Sequence, residues 1–249
     1  MTVYRRPDPI PLPTRQQGVA RGVLPVRADR QDLHAVAARE IFLAIVGGDV
    51  GPVLPTEQEL GDQLGVSRTV VREAIKGLAS KSIVVTRRSR GTIVLDRSKW
   101  NLLDAEVIGW LTRTRQRHRI APDLWEIVSM IQPGLAALAA GRPSEKIAEI
   151  GASLAERLPD AELSPLLRDF HLAIAQSSEN WFLVSVIEKC LEGILLDEPS
   201  FLAQRYRSSG EAAYRKIVRT IEAREAGSAE RAVAGLFLRA QPVLAGAHR

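Results

Sequence analysis

A single cysteine in 249 residues, Cys190, leaves no partner for an internal disulfide and no thiolate cluster for structural zinc, which makes redox and zinc-finger readings weak. Its apolar neighbours Ile187, Leu191 and Ile194 mark it as a small core residue. Long apolar runs are scarce as well. The longest uncharged one, Ile127 to Gly141, contains Pro133 and falls short of the ~18 residues that suggest a membrane span, so no membrane helix is expected. Arg5-Arg6 invites a twin-arginine export reading, but Pro7, Pro9, Pro11 and Pro13 follow where an uninterrupted apolar segment is required. The expected location is therefore the cytoplasm. The chain also lacks an H-x-x-x-H metal motif, a G-x-S-x-G elbow, a P-loop and a dinucleotide fingerprint, so it is not expected to be an enzyme and no catalytic residue or cofactor is assigned.

What is present is ordinary globular material, 45% hydrophobic and 25% charged, with a formal net charge of +5. The charge is uneven. All of the excess lies before residue 99, and acids and bases balance after it. Between Ser67 and Arg90 the cations Arg68, Arg72, Lys76, Lys81, Arg87, Arg88 and Arg90 face Glu73 alone, which predicts a polyanion-binding surface. Residues 1–28, rich in proline and poor in large apolar side chains, read as a mobile tail.

From Gln31 the apolar positions Leu33, Val36, Ala37, Ile41, Ala44 and Ile45 recur at helical spacing up to Gly47-Gly48. Thr56 followed by Glu59 predicts a capping box on a second helix that stops at Gly65, and Ser67 caps a third. Helix, glycine turn and helix form a helix-turn-helix pattern. In the third helix Val70, Val71, Ala74, Ile75 and Leu78 form the buried face, whereas Arg68, Thr69, Arg72, Glu73 and Lys76 form the other. Arg68, Arg72 and Lys76 stack at i, i+4 spacing, where an arginine fork can reach guanine O6 and N7 or clamp a phosphate. Two β-favouring runs, 83–86 and 92–95, flank the basic tip 87–91 and predict a hairpin wing beside that helix.

Leu-Pro-Thr-Glu-Gln-Glu-Leu (54–60), Leu-Gly-Val-Ser-Arg-Thr-Val-Val-Arg-Glu-Ala (64–74) and Arg-Gly-Thr-Ile-Val (90–94) resemble the winged helix of GntR-type bacterial transcription regulators. The resemblance implies that Arg68 and Arg72 contact bases and phosphates, that Ser67 and Thr69 meet the backbone, and that the wing at Ser89, Arg90 and Gly91 enters the minor groove. Thr56, Gln58, Lys76 and Arg88 complete the expected DNA-binding set, with Gln58 standing where many relatives have arginine. Two readers held by a homodimer, about 34 Å apart, would match a short palindromic operator on double-stranded DNA.

Beyond Arg97 the strand signal ends and helical periodicity continues, through expected helices at 102–111, 123–140, 144–158, 163–176, 181–196, 200–223 and 228–244. The fold class is therefore mostly α: a winged helix-turn-helix domain at 29–97, then an all-α, FCD-like effector and dimerisation bundle at 98–249, as in the FadR subfamily. A linker helix over 98–113 resembles the corresponding segment of regulators of sugar-acid catabolism, and Trp100, Leu103, Val107 and Trp110 are expected to dock it onto the bundle.

The resemblance implies a divalent metal held by one aspartate and three histidines. His171 is kept, but Leu167 takes the aspartate position, and Tyr214 and Arg239 take the other two histidine positions. Asp169 lies two residues from His171, roughly 160° around the helix, and cannot substitute easily. No tightly bound metal is expected. Val128 and Gln132 replace a pocket arginine and a glutamate. The expectation is a small carboxylate or sugar-acid effector bound directly by His171, Tyr214 and Arg239, with Arg168, Ser129 and Gln132 completing the site; the alternative is a degenerate sensor on a protein that binds DNA constitutively or as an architectural protein.

Overall fold

A computed structural model describes residues 33–154 and 158–239. The expected tail, 1–28, and the helical residues expected after Arg239 lie outside the described residues. The chain divides into two compact units, with the boundary after Asn101.

The first unit opens with α1 (Leu33–Gly47), α2 (Glu57–Leu64) and α3 (Arg68–Ser80) and continues into β1 (Val84–Arg87) and β2 (Gly91–Val94). Ala37, Ala38, Ile41, Phe42 and Ile45 of α1 are buried, as are Val71, Ala74, Ile75 and Leu78 of α3, and the two helices pack on each other. Val70, expected among the buried residues, is half-buried one position off that face. Glu59 N donates to Thr56 Oγ1 and Glu59 Oε2 accepts from Thr56 N at 2.8 Å, which satisfies the first turn of α2 from both directions.

α2 ends at Gly65, whose φ of 69° is left-handed and suits glycine. Gly61 is needed for a different reason: a Cβ there would lie 2.9 Å from the Val66 carbonyl oxygen, so the turn between α2 and α3 closes only over a bare Cα. β1 and β2 pair antiparallel with Val84 opposite Val94 and Arg87 opposite Gly91. Leu54 N donates to Thr92 O and Val94 N to Pro52 O, which ties the segment before α2 to the hairpin.

Trp100 corrects one expectation. A 3-10 turn (Arg97–Lys99) and an extended Trp100 interrupt the proposed linker helix, because Asp96 and Asp104 each cap a separate helical segment. The Trp100 ring sits 5.5 Å from Phe42 and its Nε1 donates to Leu95 O, so this indole closes the core of the first unit. The four-residue stripe is therefore split, and only Leu103, Val107 and Trp110 belong to the second unit.

That unit contains α4 (Ala105–Leu111), α5 (Arg117–Gly141), α6 (Glu145–Ser153), α7 (Asp160–Gln176), α8 (Trp181–Asp197), α9 (Phe201–Ser209), α10 (Glu211–Glu222) and α11 (Ala226–Arg239). α5 is its axis and packs on α11, α8, α7 and α10. By length and composition α5 could cross a membrane, but its buried face, including Leu124, Trp125, Val128, Leu135 and Ala139, fills the core of the bundle.

Several boundaries differ from the sequence expectation, and two of the differences have a visible cause. α5 begins before Pro122, at Arg117, because Asp197 at the end of α8 accepts from Ala121 N at 3.3 Å and from Arg117 Nε at 3.3 Å, anchoring the extra turn. The single helix expected over 200–223 breaks at Gly210, whose φ of 80° and ψ of 148° no helix accommodates.

Candidate nucleic-acid interface and sensor cluster

Ser67 Oγ accepts from Val70 N at 3.4 Å and sets the start of α3. With Val71, Ala74, Ile75 and Leu78 turned inward, the helical period turns Arg68, Thr69, Arg72, Glu73 and Lys76 outward, and all five are exposed. The wing adds Arg87, Arg88, Ser89, Arg90 and Gly91, all exposed on a turn closed by Arg90 N donating to Arg87 O. Ser89 and Gly91 both take positive φ, 65° and 75°, which folds the tip back into β2.

The outward row is not uniformly cationic. Arg72 donates from Nε and Nη2 to the two carboxylate oxygens of Glu57 at 3.2 and 2.9 Å. Those bonds hold the Glu57 carboxyl below its ordinary range. Lys76 pairs with Glu73 at 2.8 Å. Gln58, at the position where an arginine was expected from the resemblance, donates to Asp62 on its own helix. Thr56 has its hydroxyl committed to the capping box, with Oγ1 also donating to Glu59 Oε2. Glu57 is the residue that sequence reasoning missed: it lies fifteen positions before Arg72, outside the window in which charges were weighed, and only the fold of α2 against α3 brings it there.

In the bundle, His171, Gln132 and Tyr214 come together in the core, each at most 2% exposed. The His171 ring is 5.5 Å from Trp125, 5.8 Å from Phe170, and 6.1 Å from both Tyr214 and Phe237. Gln132 Nε2 donates to His171 O at 2.8 Å. Among the described residues, Gln132 Oε1 and both imidazole nitrogens have no hydrogen-bond partner. Burial alone pushes the His171 pKa down to about 4, so the ring is neutral near pH 7, and burial raises that of Tyr214.

Arg168 and Ser129 are not brought to this cluster. Arg168 pairs at the surface with Asp169, Glu188 and Glu192. Ser129 donates to Glu126 O at 2.7 Å on α5. Arg239 ends α11, and its side chain lies outside the described residues. The residues present do not fit a metal: Leu167 is fully buried beside His171, Asp169 is held outward by Arg168, and no group of three His, Cys, Asp or Glu converges among the described residues. A cation that sequence reasoning passed over, Arg205, is 4% exposed and lies over the Phe201 ring, which in turn meets Trp125. No periodicity distinguishes it from a surface arginine, because α9 was read as part of a longer helix.

Comparison with known proteins gives the class. Residues 45–94 match the description "Bacterial regulatory proteins, gntR family" and residues 123–238 match the FCD domain. The chain therefore carries a GntR-family helix-turn-helix domain followed by an FCD helical domain.

Its relatives include the uncharacterized HTH-type transcriptional regulator YieP of Escherichia coli (strain K12), 37% identical over 45% of this chain and 50% of that one. The galactonate operon transcriptional repressor of the same organism is 30% identical over 52% of this chain and 59% of that one. The chain thus matches about half the length of these curated relatives. Among solved structures, Lar, described as controlling the expression of the Listeria monocytogenes agr system, shares the fold with a TM-score of 0.51 at 17% identity, covering 85% of this chain and 97% of that one.

Proposed function

We propose that this protein is a sequence-specific regulator of transcription that acts in the cytoplasm as a homodimer on a palindromic operator and represses a catabolic operon in the absence of its effector. The observation that carries the reading is the exposed row Arg68, Arg72 and Lys76 on α3, next to a wing whose arginines are also exposed. Phosphate contacts from Arg68, Ser67, Thr69 and the wing would supply affinity, and Arg72 would supply base discrimination. Thr56 and Gln58 stand at the start of α2, where Thr56 caps the helix and Gln58 bonds Asp62, and both are read as lying at the edge of the DNA contact. No catalytic step is assigned to any residue.

Two readers require two copies. The bundle offers a seat for the second one: α5 and α8 pack side by side and expose Met130 (67%), Leu138, Trp181 (87%) and Phe182 (86%). Large apolar side chains this exposed mark an interaction surface, and a partner copy presenting the same face would cover them by two-fold symmetry.

The effector is a small carboxylate or sugar acid, bound without metal where His171, Gln132 and Tyr214 meet, with Arg239 as the charged partner. Three buried polar atoms without partners support a ligand there, since leaving each unsatisfied costs about 1–3 kcal/mol. The galactonate repressor among its relatives supports the ligand class. A second reading, a sensor that has lost its ligand, is favoured by the close ring packing around His171, 4.8 Å between Trp125 and Phe237.

A thermal-shift screen of sugar acids and short carboxylates against the wild type and Arg239→Ala separates the two. The effector reading expects one compound that raises Tm in the wild type alone; a flat response to every compound supports the degenerate sensor. Elemental analysis of native protein is expected to show no stoichiometric Zn, Ni or Mn.

A further inference from the structure

The Arg72–Glu57 contact joins the first residue of α2 to the middle of the recognition helix, and both partners are placed by rigid local structure. Glu57 follows the Thr56 capping box, and the bare Cα of Gly61 locks α2 against the turn that launches α3. Resting on the DNA-binding reading above, we propose that Glu57 is a positioning residue that decides what Arg72 can read, by gripping one side of the guanidinium and keeping the other side for a base edge.

The geometry divides the donors of the fork. Of the five N–H groups of a guanidinium, Nε and one hydrogen of Nη2 go to the two oxygens of Glu57. The remaining Nη2 hydrogen and one on Nη1 lie along the far edge, which can meet guanine O6 and N7 in a bidentate contact. Arg72 keeps 55% of its side-chain surface exposed while held this way, so the ion pair does not enclose the fork.

The carboxylate also biases the choice of acceptor. A phosphate brought against Arg72 would come close to the negative charge of Glu57, whereas the O6 and N7 acceptors are neutral. Glu57 therefore penalises phosphate clamping at Arg72 and leaves base reading as the favourable use of that side chain. Arg68, one turn earlier, makes no direct ion pair among the described residues; the Glu57 carboxylate feels its charge only weakly, so that charge is largely available to phosphates.

The test uses the full-length protein and two duplexes: the site it selects from random-sequence DNA, and a scrambled duplex of equal length and composition. Affinities are measured by fluorescence anisotropy over a salt series for the wild type, Glu57→Gln, Arg72→Ala and the double variant.

Glu57→Gln is expected to lower the ratio of selected to scrambled affinity by about tenfold, within the discrimination one bidentate contact supplies. It is also expected to tighten scrambled binding roughly two- to fivefold and to steepen the salt slope by about one, as Arg72 turns to a phosphate. In the Arg72→Ala background the same change is expected to leave the ratio unmoved, a coupling that a merely structural role for Glu57 would not produce.

An unchanged ratio in Glu57→Gln, or a full further loss in the double variant, overturns the assignment. Selection that enriches no sequence with the wild type overturns the DNA-binding reading on which it rests.

Discussion

The two units of this chain handle polar side chains in opposite ways. The winged-helix unit buries almost purely apolar groups, Phe42, Val71, Leu78 and Ile83 among them, and carries its chemistry on exposed arginines around that core. The bundle buries its chemistry: His171, Gln132, Tyr214 and Arg205 lie inside, and among the described residues Gln132 Oε1 and both imidazole nitrogens of His171 have no hydrogen-bond partner. A surface reader can change its side chains at little cost in stability, whereas an internal sensor couples every change of specificity to the stability of its core.

The sharpest way to break this comparison is to damage one unit and watch the other. Phe42→Ala removes a fully buried ring packed on Trp100 and is expected to destabilise the first unit by about 3–5 kcal/mol. Calorimetry should then show two separated transitions, with the bundle's unchanged.

Acid probes the bundle from within. His171 is held neutral down to about 4 against an ordinary 6.5, so the unfolded chain takes up its proton first as pH falls. The stability contribution is complete above pH 6.5 and is lost on acidification toward pH 4, by on the order of 3 kcal/mol. His171→Phe, which suits the surrounding rings, should abolish that slope in urea titrations of the bundle transition and remove any effector response.

Trp181→Glu together with Phe182→Glu places charge on the exposed apolar face and should weaken self-association more than tenfold by sedimentation equilibrium, with helicity retained. The smallest expected effect is Thr56→Ala, which deletes one half of the capping box for about 1 kcal/mol in the melting of the first unit.

Legibility in the sequence follows the same division. The reader was visible because its signals are local: Thr56 and Glu59 three apart, Gly65 ending α2, Ser67 before α3, and an alternation of Val71, Ala74 and Ile75 with Arg68, Arg72 and Lys76. The grip of Glu57 on Arg72 was not local, and a census of neighbouring charge could not find it.

In the bundle the helical period predicted where helices lie but not their ends, nor the division of 200–223 into two. Asp197 carries α5 back past Pro122 from far along the chain, and Gly210 breaks a segment that periodicity reads as continuous. Trp100 was misplaced because helical spacing with Leu103 and Val107 does not reveal that the backbone leaves the helix between Lys99 and Asp104. His171, Gln132 and Tyr214, grouped from resemblance, lie together in the core. Arg168 does not join them, because its partners Glu188 and Glu192 lie on α8 and hold it at the surface.

The central claim is that α3 reads base sequence through Arg72. Competition between the selected duplex and its scrambled counterpart, measured for the wild type and for Arg72→Ala at one moderate salt concentration, tests it most directly. A loss of about 10- to 100-fold in preference, with fold and oligomeric state intact, is the predicted result. Equal preference in both proteins would contradict the account.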